Sequence, residues 1–369
     1  MLLRWLKNLD RRRFEPLVLL PADGPLKTLI ETEGIEVIVH PQLSFISRLG
    51  FRSWKIIPFF LNCPLSVLYL WRLIRRKNVV LVYTNTGVII SPFLAAWLAG
   101  VPHICHIRES FQEFRRVWPM YSRFITGFSS RVIAVSNAMA GQFDSRGKVV
   151  VIHDGFSREE FQVPKEKLRA EFRSRYGLAG HFVVGCVGRI KWVRKGQEFL
   201  VQATALLKQQ GHLITALIVG TPFPGNESHL LRLRGLAEEL RVQDRVVFTG
   251  ELADPRPAYA AMDVLALPSA QPEPFGNVVM EAMGMGLPVI ATNIGGSLDQ
   301  VLDGVTGLLV PPGDPVALAE AIQKLMSSSE LRRRMGEAAA NRVQEDFSIT
   351  EMTAKIEAVI DEALRRKSS

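Results

Sequence analysis

Short apolar runs rich in β-branched residues recur along the whole chain, and longer stretches of helical periodicity separate them. In the first half the runs fall at residues 16–20, 35–39, 79–83, 103–107, 131–135 and 149–152. In the second half they fall at 182–187, 215–219, 245–248, 264–267, 289–291 and 307–310. Helical stretches such as 91–99, 196–208 and 277–285 lie between them. Continuous apolar strands that alternate with helices need parallel sheets covered on both faces. Two such series in tandem predict an α/β chain of two doubly wound, Rossmann-like domains, which suits a length of 369 residues.

The predicted junction lies near residues 161–165, where Ser157-Arg158-Glu159-Glu160 and Pro164 break the pattern. The domains are then 1–161 and 162–348, followed by a C-terminal helix over 349–369. In that helix Met352, Ile356, Val359, Ile360 and Leu364 form one apolar stripe, so it should pack on the body of the protein. The opening, Leu2-Leu3-Arg4-Trp5-Leu6-Lys7-Asn8-Leu9, already reads as helix. A doubly wound domain normally opens with a strand and a glycine turn, so that first unit is expected to be missing.

Charge is distributed unevenly. Residues 1–161 carry 21 Lys+Arg against 12 Asp+Glu, and the remainder balances at 24 against 24, so the whole net charge of +9 sits in the first half. A one-sided basic field suits an anionic partner or simply keeps the surface soluble. Residues 64–77 sharpen the question. Val67, Leu70, Trp71 and Ile74 make an apolar stripe, with Arg72, Arg75, Arg76 and Lys77 on the other side and at the end. Such a helix packs its stripe on a sheet, with its cations favouring the C-terminal dipole, or lies on anionic lipid. Arg11–Arg13, Arg52, Lys55, Arg115 and Arg116 add to the basic side. Pro58, Asn62 and Pro64 interrupt the most apolar stretch, 56–71, which is too short for a spanning helix. No signal peptide pattern is visible, and Cys63, Cys105 and Cys186 include no C-x-x-C pair. These features predict a cytoplasmic protein, peripheral to the membrane at most. No helix-turn-helix, stacking motif or zinc module points to nucleic acid.

The densest chemical signal is Pro268-Ser269-Ala270-Gln271-Pro272-Glu273-Pro274-Phe275-Gly276-Asn277-Val278-Val279-Met280-Glu281. A strand ends, a proline-rich loop holds one carboxylate, and Gly276 opens a helix. The free N–H groups and positive dipole end around Gly276–Val278 form a seat for a phosphate or a negative oxygen. Glu281 lies about 7.5 Å farther along the axis, at ~1.5 Å per residue, where it can accept from a vicinal diol. A helix cap followed by a surface glutamate would not need the Pro-Glu-Pro-Phe-Gly framing. The second signal is Val187-Gly188-Arg189 and Lys195-Gly196, two cations across one loop that can converge on a diphosphate. There is no G-x-G-x-x-G. No cluster with metal-ligand spacing stands out, so no metal site is expected.

Together these stretches closely resemble the retaining glycosyltransferases of family 4, with the two-domain GT-B fold. The hallmark is a pair of glutamates with seven residues between, matched by Glu273 and Glu281. Gly188-Arg189, Lys195-Gly196, Phe248-Thr249-Gly250, Gly286-Leu287-Pro288, Gly295-Gly296 and Pro311-Pro312-Gly313 match its framing residues. In the first half, Gly100-Val101-Pro102, Val135-Ser136-Asn137 and Ile152-His153-Asp154-Gly155 resemble the acceptor-side domain, with Asp154 standing where Asn is usual and Asp299 where Glu is usual.

The resemblance implies two domains facing a cleft, with the C-terminal helix crossing back to the first. It implies Arg189 and Lys195 on the donor diphosphate, Glu281 on the ribose, and Glu273 with the backbone of Phe275, Gly276, Asn277 and Val278 on the donor sugar. Gly220, Thr249, Gly250 and Leu252 would border the base. His106 would face the sugar from the first domain. Glu273, His106, Arg189 and Lys195 are then the expected catalytic residues. The donor would be a UDP- or GDP-linked sugar with no further cofactor, and the acceptor a glycan or lipid-linked molecule. An anionic membrane surface is a candidate partner. Two other readings stay open: a nucleotide-sugar-binding protein without turnover, and a sugar-nucleotide epimerase of the same layout.

Overall fold

The computed structural model describes residues 1–41, 43, 57–111, 116–144 and 146–368. Arg52, Lys55 and Arg115, assigned above to the basic side, lie outside the described residues. The chain divides into two compact units, Met1–Gly155 with Ile349–Ser369, and Phe156–Ser348.

The first unit runs α1 (Leu2–Asn8), β1 (Leu17–Leu20), α2 (Pro25–Glu31), β2 (Glu36–Val39), α3 (Ile57–Arg76), β3 (Val82–Thr84), α4 (Ser91–Ala99), β4 (His103–Ile107), α5 (Trp118–Phe128), β5 (Arg131–Ala134), α6 (Asn137–Ala140) and β6 (Val149–Val151). Strands β3-β4-β5-β6 form one parallel sheet, and β1 pairs with β2 in a separate two-stranded one. Alternation along β4 sends its side chains to opposite faces. Cys105 and Ile107 pack with Phe93 of α4 and with Tyr121 and Ile125 of α5. Ile104 meets Trp5 and Leu9 from the amino-terminal segment.

The apolar stripe of α3 turns inward. Val67, Leu70 and Ile74 are buried against Ala95, with Trp71 packed beside them. The stripe serves as sheet cover, because a helix joining parallel strands must bury one face on the sheet. It is therefore not available to lipid.

The second unit runs α7 (Lys165–Arg175), β7 (Phe182–Val187), α8 (Gln197–Gln209), β8 (Ile214–Val219), α9 (Ser228–Glu239), β9 (Val246–Gly250), α10 (Arg256–Ala261), β10 (Val264–Leu267), α11 (Asn277–Gly284), β11 (Val289–Thr292), α12 (Ser297–Gln300), β12 (Gly307–Val310), α13 (Pro315–Met326) and α14 (Ser329–Asp346). Its six strands are all parallel in the order β12-β11-β10-β7-β8-β9. Numbered within the unit, that is the doubly wound order 3-2-1-4-5-6. Val184, Ile218 and Ile290 of the sheet share a core with Leu200 of α8 and Ile322 of α13. Asp263 fastens α7 to the strands: its carboxylate accepts from Arg169 at 2.6 Å, from Arg173 at 2.7 Å and from the Val183 N–H at 2.7 Å. Asp314 caps α13 by accepting from the N–H groups of Val316 and Ala317.

The last helix, α15 (Ile349–Ser368), belongs to the first unit. Its Met352, Ile356 and Ile360 pack with Ile104, Ile133 and Trp5. Arg131 bonds to Glu362, and Arg13 to Glu357 and Asp361, at its outer edge.

Candidate active site

In a doubly wound sheet, ligands bind outside the carboxyl ends of the strands where the strand order reverses. In the second unit that point lies between β7 and β10. Strand β7 runs into Gly188-Arg189, and β10 runs into the loop Pro268–Phe275.

Close backbone contacts hold these two segments together. Gly196, with φ +69°, caps α8, and a Cβ there would lie 1.8 Å from the Pro268 carbonyl oxygen. Only glycine allows that approach. The Ala270 N–H donates to the Arg194 carbonyl at 3.1 Å. From the other side, a Cβ on Gly295 would lie 2.6 Å from the Glu273 carbonyl oxygen, and the Gly296 N–H donates to that oxygen at 2.8 Å. The glutamate loop is thus clamped between α8 and the Gly295-Gly296 turn. The clamp sets Lys195 Nζ 2.9 Å from Glu273 Oε2, both side chains being mostly buried.

The amino end of α11 differs in one detail from the expected phosphate seat. The Gly276 N–H is occupied: it donates to Gln300 Oε1 at 3.3 Å, and Gln300 Nε2 donates back to the Gly276 carbonyl at 3.0 Å. The seat is therefore reduced to the first-turn amides of Asn277 and Val278, which the helix leaves without intrahelical partners. Phe275 precedes them, its ring 6.0 Å from that of Phe347. Farther along, Glu281 Oε2 accepts from the Tyr259 hydroxyl at 2.8 Å. Burial, and secondly the Glu281 charge, push the Tyr259 phenol well up, so it remains a donor. Neither Gln300 nor Tyr259 was found from the sequence, since both act across strands with no local spacing signal.

Arg189 is exposed, and its guanidinium lies over the Phe223 ring, 5.1 Å from the centroid. The first turn of α8 holds the loop that links it to Lys195. Gln197 Nε2 donates to the Arg189 carbonyl at 3.0 Å, and Glu198 Oε1 accepts from the Val193 N–H at 2.7 Å. Burial raises the Glu198 pKa. Gly220 and Gly250 meet directly, the Gly220 N–H donating to the Gly250 carbonyl at 2.8 Å, with Thr249 and Leu252 flanking the contact. These four sit at the ends of β8 and β9, on the opposite side of β7 from Glu273. Among the described residues no ion pair joins Arg189 to either glutamate.

His106 belongs to the first unit. Its ring is buried beneath α1 and α15, beside a small cavity lined also by Trp5, Tyr83, Arg108 and Asp154. Nδ1 lies 2.7 Å from the Tyr83 hydroxyl, and Nε2 is buried without a hydrogen-bond partner. Burial, and then the Arg108 charge, hold its pKa well below the ordinary imidazole value, so the ring is neutral. Arg108 pairs with the buried Asp154.

The chain matches Glycosyltransferase Family 4 over residues 1–160 and Glycosyl transferases group 1 over residues 169–342. It is 31% identical over 246 residues to the capsular polysaccharide biosynthesis glycosyltransferase CapM of Staphylococcus aureus, covering 63% of this chain and 62% of the relative. It is 33% identical over 230 residues to a D-inositol 3-phosphate glycosyltransferase of Corynebacterium glutamicum (strain R), covering 60% of this chain and 53% of the relative. The matched part thus spans between half and two thirds of those relatives. Among solved structures, Anabaena HepE in complex with UDP and glucose superposes with a TM-score of 0.82 at 28% identity, covering 98% of this chain and 94% of that one. Two family matches that together span nearly the whole sequence, and a doubly wound order with the glutamate pair at its switch point, make this chain a member of the family 4 glycosyltransferases, with the GT-B fold.

Proposed function

We propose that the protein transfers a sugar from a UDP- or GDP-linked donor to a glycan or lipid-linked acceptor, with retention of configuration and without a metal, in the synthesis of a cell-surface polysaccharide or glycolipid. The observation that carries this reading is the Lys195–Glu273 pair, held by backbone contacts beside the amino end of α11 at the sheet's switch point. Breaking a sugar–diphosphate bond places negative charge on the leaving oxygens. Fixed cations and oriented dipoles stabilise that charge. Lys195 uses one of its donors on Glu273 and keeps others for a phosphate. Arg189 adds a planar fork, and the amides of Asn277 and Val278 add the dipole end. Glu281 takes the ribose hydroxyls, and Glu273 with the neighbouring backbone takes the sugar. Gly220, Thr249, Gly250 and Leu252 border the base. The polysaccharide role of CapM and the UDP and glucose bound to HepE support the substrate class.

Calorimetric titration with a panel of nucleotide-sugars, followed by a nucleoside-diphosphate release assay, tests the reading. Lys195→Ala should lower kcat by about 10²–10³, the loss typical of one preorganised donor. Donor binding without release, under every acceptor tried, would instead mark a binding protein. Full turnover in Lys195→Ala would remove the cation from the mechanism.

A further inference from the structure

Part of the basic excess of the first half lies on one layer of the first unit. Between Glu36 and Asp144 the sequence contains twelve Lys or Arg and only two acids, Glu109 and Glu113. Glu109 is engaged inside the fold, with Thr86 and the Gly87 N–H. On the α15 side, Arg13 pairs with Glu357 and Asp361 and Arg131 with Glu362, while Arg11 and Arg12 are exposed with no acidic partner among the described residues. A larger group of cations without acidic partners lies on the layer formed by α3, α4 and α5. Arg72, Arg75 and Arg76 of α3, with Arg116 and Arg123 at α5, are exposed and have no acidic partner among the described residues.

The same layer exposes large apolar side chains. The stripe of α3 that faces out is Leu65, Leu68, Arg72, Arg75 and Arg76, the reverse of the buried Val67, Leu70 and Ile74. Leu65 is 56% exposed, and on α4 Trp97 is 65% exposed with Leu98 beside it. Met120, at the start of α5, is 71% exposed. The helices form one surface: Ser66 bonds to Ser91 at 2.9 Å, and Trp97 meets Phe128 of α5 edge-on at 5.9 Å. Single exposed apolar residues need no explanation. Leucines, a tryptophan and a methionine on a surface with five arginines that have no acidic partner among the described residues do. No helix among the described residues is long and apolar enough to cross a membrane.

We propose that the outer face of α3, α4 and α5 rests on an anionic lipid surface. The arginines meet the headgroups, and Leu65, Leu68, Trp97 and Leu98 enter the boundary between headgroups and acyl chains. Charge complementarity selects this occupant. A second copy of the chain would bring like charges face to face, whereas a lipid leaflet offers many negative headgroups at once. This assignment is independent of the proposed transfer activity.

The test is flotation of the full chain with vesicles of phosphatidylcholine alone or mixed with phosphatidylglycerol, at low and high salt. The expected result is binding only to the mixed vesicles, weakened by salt. A triple Arg72→Gln/Arg75→Gln/Arg76→Gln variant should bind about two orders of magnitude more weakly, at roughly fivefold per cation. Trp97→Ser/Leu98→Ser should bind more weakly at both salt concentrations. Lys324→Gln/Arg333→Gln/Arg334→Gln, which removes the same charge from the second unit, should retain most of the binding. Far-UV circular dichroism and the thermal unfolding midpoint confirm that each variant is folded. The proposal is overturned by absence of binding at low salt, by equal binding to neutral vesicles, or by an equal loss in the second-unit control. Self-association abolished by the same substitutions, without lipid binding, would also overturn it.

Discussion

Single side chains in this protein owe their chemistry to what surrounds them. His103 is buried, with Nε2 3.1 Å from the Thr84 hydroxyl and Nδ1 3.0 Å from that of Ser129. Burial pushes its pKa down to about 3, and His106 is shifted in the same direction. Both rings are neutral in the fold and take up protons near pH 6.5 when unfolded. Their contribution to stability is whole above about pH 6.5 and declines as the pH falls, by up to about 1.4 kcal/mol per pH unit for each ring. Urea midpoints measured from pH 7.5 downwards should decline, and His103→Gln should flatten the decline even if it lowers the starting value. An unchanged slope would mean that His103 is not the neutral buried base described here. Arg189 presents a different residue-scale case. An exposed guanidinium is mobile unless something restrains it, and here the Phe223 ring does so. Phe223→Ala should raise KM for the donor several-fold with kcat little changed, and Phe223→Tyr should restore it. Restoration by Phe223→Leu would show that bulk, not the ring, is what matters.

At the scale of elements, the site depends on how closely two loops approach. Gly177 and Gly196 both have positive φ, but a Cβ on Gly177 meets nothing within 4 Å, whereas on Gly196 it strikes the Pro268 carbonyl. Gly177→Ala should cost only the left-handed backbone penalty, roughly 1–2 kcal/mol. Gly196→Ala should cost more, and should also weaken donor binding by moving Lys195 away from Glu273. Equal costs, with affinity retained, would show that α8 can move without disturbing the glutamate loop. The strands and most helices were legible in the sequence because burial on two faces enforces continuous apolar runs; 182–187, 264–267 and 307–310 match β7, β10 and β12 residue for residue. The glutamate loop was legible because proline and glycine punctuate it. The outward stripe of α3 was not, since a 3.6-residue period marks an apolar face without saying which apolar residues the sheet will cover. Gln300 on Gly276 and Tyr259 on Glu281 were hidden for another reason: their partners are 24 and 22 residues away, brought together only by the parallel crossovers.

At the scale of the whole molecule, the chain passes from the first unit to the second at Gly155–Phe156 and returns at Ser348–Ile349. Its last helix therefore completes a core begun by Trp5 and Leu9 near the other end of the sequence. Ile356, 1% exposed, packs there with Ile104, Ile133 and Met352. Ile356→Ala should remove about 2–5 kcal/mol from that core. The residues proposed to hold the nucleotide lie in the second unit, so a nucleoside diphosphate should stabilise that unit, by about 2.7 kcal/mol at a hundredfold excess over Kd. Scanning calorimetry can separate the two effects. If each unit unfolds around its own core, Ile356→Ala lowers one transition and UDP or GDP raises the other. A single transition moved by both would mean that the two cores melt together, and that the stability of the donor site is set as much by α15 as by the sheet that carries it.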